Sequence, residues 1–138
     1  MKEADREETE QWLEIFISLY ERASIFIHCV IDKVNADGLP SDLLALPEVI
    51  QNLPPILKSV RELPRPRQIE LRRLKKDLKL TIDTCIKASK WAIKLDRKAS
   101  RVRLSAAVFW TSLAISFSES LSLKLALLSG YARYGGEA

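Results

Sequence analysis

Residues 64–103 read PRPRQIELRRLKKDLKLTIDTCIKASKWAIKLDRKASRVR, and the spacing within them decides the fold. From Pro66 to Arg103 apolar side chains recur at helical intervals: Leu74, Leu78, Ile82, Cys85, Ala92, Leu95, Ala99 and Val102. No Gly or Pro interrupts the run after Pro66, so the spacing predicts one long amphipathic helix with a single buried stripe. Around the stripe stand Arg72, Lys76, Lys79, Lys87, Lys90, Lys94, Arg97, Lys98 and Arg101, which makes the other face basic.

Working outward, nothing from Gln68 to Ser129 is a Gly or Pro, and an unbroken helix over that span would reach about 95 Å. That length does not suit one small domain. The most polar interval, DRKASRVRLS at 96–105, offers Ser100 and Ser105 as helix N-caps, so a turn is expected there. Without it the chain would be an extended hairpin that must pair with another copy. Beyond the turn, a last helix from about Leu104 to Ser129 is apolar on nearly every side, with Glu119 and Lys124 its charged residues. Such a helix is either central or shared with a partner. Ser105, Ser112, Ser116 and Ser120 form a stripe of small residues suited to close helix approach, and Gly130 is expected to end the helix.

On the other side, LPSDLLALPEVIQNLPPILKSVRELP at 39–64 holds five prolines, which predict two or three short helical turns that cross over the bundle. The first segment predicts a long helix beginning near Asp5 and stopping at Asp37–Gly38. Its seam is Trp12, Phe16, Leu19, Tyr20, Ala23, Phe26, Ile27, Val30 and Val34, and Leu13, Ile15, Ile17, Ile25 and Ile31 widen the apolar face toward a further neighbour. The fold expected is all-α: an up-and-down-like helical bundle of three long helices plus a Pro-interrupted segment of short helices. The 138 residues fit one domain, with flexible ends expected at 1–4 and 131–138.

Charge is distributed unevenly. Residues 58–103 carry sixteen Lys or Arg against five Asp or Glu, whereas the rest of the chain is acidic. A surface serving solubility alone would mix signs. The basic helix therefore predicts an anionic partner, most naturally a nucleic-acid backbone, held by Arg72, Arg73, Lys76, Lys87, Lys90, Lys94, Lys98 and Arg101. With Trp91 the one aromatic residue in that helix, contacts to phosphate should outweigh readout of bases. Two other readings compete: self-association through the apolar helix 104–129, with the acidic first turns pairing with the basic helix, and peripheral contact with an anionic membrane surface.

Catalytic chemistry finds little to work with. His28 is the sole histidine, on a face with Glu21, Ser24 and Asp32, and Arg22 stands one residue too far from it for the Arg–four residues–His spacing of a helical nuclease. Glu7, Glu10 and Glu14 can share a face, but no acidic pair on a second helix joins them to hold magnesium. Cys29 and Cys85 read as reduced core thiols. A non-catalytic module without metal or cofactor is expected. The acidic start carries no secretory or transit pattern, and the uncharged run Leu104–Ser118 spans about 22 Å, short of the about 30 Å of a bilayer core. A cytoplasmic location follows as the expectation.

Overall fold

The computed structural model describes residues 3–134, and the side chains of residues 3–128. Of the ends expected to be flexible, residues 1–2 and 135–138 lie outside the described residues, whereas 3–4 and 131–134 belong to the first and last helices. Four helices run in order: α1 (Glu3–Ile31), α2 (Leu46–Glu62), α3 (Ile69–Arg97) and α4 (Arg101–Tyr134). The described residues contain no strand; Val34 and Pro40 make one isolated antiparallel pairing. The all-α bundle with three long helices is therefore as the sequence predicts.

The core is built where the periodicities place it. Along α3 the stripe Leu74, Leu78, Ile82, Cys85 and Ala92 is buried, and α1 contributes Trp12, Phe16, Leu19, Ala23, Ile27 and Val30. Each fully buried Leu, Ile or Phe contributes on the order of 1.5–3 kcal/mol, so this contiguous cluster is what holds the helices together. Trp12 stacks on Phe16 at 5.1 Å and donates its indole N–H to the Pro64 carbonyl at 2.8 Å, tying α1 to the joint before α3.

The Pro-rich segment departs from expectation. Instead of two or three short turns, residues 46–62 form one continuous helix with Pro47 in its first turn and Pro54 and Pro55 inside it. The reason is orientation: Pro54 and Pro55 face solvent, while Leu46, Val49, Leu53, Ile56, Leu57 and Val60 are buried on the opposite side. The two proline rings stay out of the core, and the packing of that apolar face outweighs the backbone bonds the prolines cannot make.

The first helix stops at Ile31, well before Gly38. Asn35 supplies the alternative: its Oδ1 accepts the N–H groups of Asp37 and Leu39 at 3.0 and 3.1 Å, and its carbonyl accepts Gly38 N–H. These local bonds compete with the helix. Gly38, at φ +82°, therefore serves a loop turn, where a side chain would be strained, and is not a helix cap. Ile15, Ile17 and Ile25, expected to meet a further neighbour, are exposed.

The turn between the last two helices lies where the caps predict it. Ser100 Oγ accepts the Arg103 N–H at 3.1 Å as the N-cap of α4, and the Arg103 guanidinium donates to the Lys94 and Lys98 carbonyls at 2.7 and 3.1 Å, closing the end of α3. Ala99 and Val102 thus leave the predicted stripe and become exposed, and Ser105 lies inside α4. Pro66 precedes α3, in a non-helical joint whose Leu63 and Pro66 carbonyls accept side-chain donors from α3. At the far end α4 continues through Gly130 to Tyr134.

Candidate functional site

The α3–α4 hairpin carries the candidate surface. Its register is set by two contacts across the helices: Asp77 accepts Lys124 Nζ at 2.6 Å and Ser120 Oγ at 3.1 Å, and Lys87 Nζ lies 4.4 Å over the Trp110 ring. Small residues are buried on both helices, Ala88, Ser89 and Ala92 on α3 and Ala107, Thr111 and Ala114 on α4, which suits close approach. The buried hydroxyls of Thr81, Thr84, Ser89 and Thr111 each donate to a carbonyl within one turn, so none is left unsatisfied. The serine stripe expected to play this part does not: Ser105, Ser112 and Ser116 are exposed, and Ser120 turns to Asp77.

The hairpin buries one side against α1 and α2 and leaves the other to solvent. Of the eight predicted cations, Arg72, Arg73, Lys76, Lys87, Lys90 and Lys94 project from α3, Lys98 sits in the turn, and Arg101 opens α4. Seven are exposed and Lys87 is half-buried. Among the described residues, Lys87 alone of the eight has an ion-pair partner, Asp83 one turn earlier at 3.0 Å. The acidic first turns do not cover this face. Asp5 reaches Arg67 at 3.1 Å, whereas Glu7, Glu10 and Glu14 line a separate groove on α1 beside Leu13 and Ile17.

The basic face has two zones. Where the proline joint meets α3, a shallow cleft of about 290 Å³ is lined by Arg65, Pro66, Arg72, Lys75, Lys76 and Lys79, with no carboxylate in its wall. Two of these cations are held in place by the joint: Arg72 Nε donates to the Pro66 carbonyl and Lys75 Nζ to the Leu63 carbonyl, each at 2.7 Å. Partial burial, and then the neighbouring Lys79, push the Lys75 ammonium below its ordinary pKa. Further along, Trp91 carries Lys94 Nζ at 4.5 Å, and Trp110 meets Phe109 edge-on at 5.0 Å. The opposite side of the joint is a cleft of mixed charge in which Asp5, Glu8 and Arg67 meet Trp12 and Gln68.

Sequence reasoning missed Arg65, Lys75 and Lys79 as cleft residues, and it missed that α4 brings Trp110 under Lys87 of the basic helix. It also missed Asp77. The signal for the last was present: an acid three residues after Leu74 and four before Thr81 falls on the buried side, in a helix whose partner holds a single lysine.

The remaining titratable groups carry no site. His28 Nδ1 lies 2.9 Å from Asp32 Oδ1 in an exposed pair one turn apart. Burial pushes the Cys85 thiol up to about 12, and burial followed by Asp42, Glu48 and Asp32 raises that of Cys29; both thiols are free. Among the described residues no three His, Cys, Asp or Glu side chains converge to hold a metal.

The last helix is peripheral, which removes the central position from the two alternatives its all-round apolar sequence left open. Its packing is against α3 and lightly against α1, leaving Val102, Leu104, Phe109, Leu123 and Leu127 exposed. From Arg101 to Leu128 it is long and apolar enough to cross a membrane, which the shorter uncharged run did not suggest, and 22% of the most apolar part is buried. Comparison with protein families, with curated proteins and with solved structures finds no match.

Proposed function

We propose that the chain is a non-catalytic helical module that binds a polyanion through α3, with a nucleic-acid phosphate backbone as the partner. The observation that carries this reading is the row of cations, Arg72, Arg73, Lys76, Lys90 and Lys94, that have no acidic partner among the described residues and run on from a cleft whose wall contains five basic residues and no carboxylate. Like charges gathered this way repel one another, and each one neutralised by a phosphate releases a condensed counterion. Binding to labelled DNA or RNA is therefore expected to weaken steeply between about 50 and about 200 mM salt. Exchanging Arg72 and Lys76 together for Gln should flatten the dependence of log K on log salt by about two. No association at the lower salt overturns the reading.

A second reading has its own observation: Leu123 and Leu127, exposed on the outer face of α4, offer apolar area to a second copy of the chain. Light scattering is its test, and a monomer at all concentrations removes it.

A further inference from the structure

We infer that the nucleic acid held by this face is single-stranded, with a base stacked on Phe109 and the adjoining phosphates on Lys87, Lys90 and Lys94. The inference rests on the polyanion reading above and deepens it. In the register fixed by Lys87–Trp110 and Asp77–Lys124, Trp91 of α3 comes level with Phe109 of α4, so three rings from two helices share one stretch of the hairpin. Phe109 forms a T-shaped pair with Trp110, at an interplanar angle of 76°, and is still 55% exposed, so ring surface stays open to solvent.

Trp91 and Trp110 are half-buried and each carries a lysine ammonium, Lys94 at 4.5 Å and Lys87 at 4.4 Å. This places a phosphate-binding charge beside each ring, the pairing that non-sequence-specific single-strand binders use: a base lies on an aromatic face while its backbone follows a basic track. A duplex keeps its bases stacked inside and could use the lysines but not the ring. From Lys94 back to Arg72 the track spans about 33 Å, broken by the Lys87–Asp83 pair, and ends in the cation-lined cleft. A short single strand can engage both zones at once.

The test measures anisotropy of the full chain with a labelled oligouridylate of about 20 nucleotides and with a duplex of the same length, at the two salt concentrations. Phe109→Ala should weaken oligouridylate binding about tenfold, leave its salt dependence unchanged and leave the duplex unaffected; Phe109→Trp should restore it. Lys90→Gln should weaken both and flatten both salt dependences. Because Phe109 is exposed, circular dichroism should show the variants folded. Equal affinity for single strand and duplex, with Phe109→Ala silent, overturns the inference and leaves the polyanion reading standing. Failure of both probes to bind removes both. If Phe109→Ala instead dissociates an oligomer and leaves oligouridylate affinity unchanged, the ring belongs to a protein interface and the inference is overturned.

Discussion

The two arms of the hairpin, α3 and α4, are similar in length and pack against each other along most of it, yet they divide their surfaces in opposite ways. On α3 the buried side is apolar and the solvent side is basic, so its sequence announces which way it faces. On α4 the buried side is made of Ala107, Thr111, Ala114 and Leu121, while larger residues, Phe109, Leu123 and Leu127, stand in solvent. The arm with the stronger amphipathic pattern anchors the core. The more hydrophobic arm spends small residues on its buried side and leaves several large ones in solvent, Phe109 among them, next to the Trp110 ring that Lys87 covers.

The contrast can be broken by substitution. The largest effect is expected from Ile82→Ala on α3: the side chain is fully buried, and the loss of transfer energy plus a cavity should cost about 2–5 kcal/mol in equilibrium denaturation. Lys124→Ala comes next. It leaves the Asp77 carboxylate, 8% exposed, without its cation, and a loss of about 2 kcal/mol is expected. Adding Asp77→Leu to that variant should recover part of the loss, since removing both charges abolishes the desolvated, unpaired one. Smallest is Leu123→Ala on α4, expected to change monomer stability by less than about 0.5 kcal/mol. A loss as large as that of Ile82→Ala would mean that the outer face of α4 is covered in solution.

Much of this was legible from residues. The α3 stripe and the seam of α1 needed periodicity alone, and the break at Ser100 was read from a polar interval with a capping serine in a span too long for one helix. The cations were legible as a set, but not their grouping, because Arg65, Lys75 and Lys79 join the cleft through bonds to carbonyls of a proline joint whose path no local rule gives. The rings were legible singly, Trp91 on one helix and Phe109 and Trp110 on the next. That they fall on the same stretch of the hairpin depends on its register, fixed by a buried Asp77 and a lysine 47 positions away.

The sequence by itself determined that the chain is helical, that it has three long helices, where the hairpin turns, and that one helix presents a basic face. Those properties follow from spacing and capping, which act within a few residues of chain. Tertiary structure alone decided that prolines 54 and 55 would sit inside one continuous helix, that α4 would be peripheral, and which of its faces would stay open. A helix that is apolar all round carries no periodic signal to orient it, so its orientation is settled by the fit of small side chains against α3 and by one ion pair, both long-range.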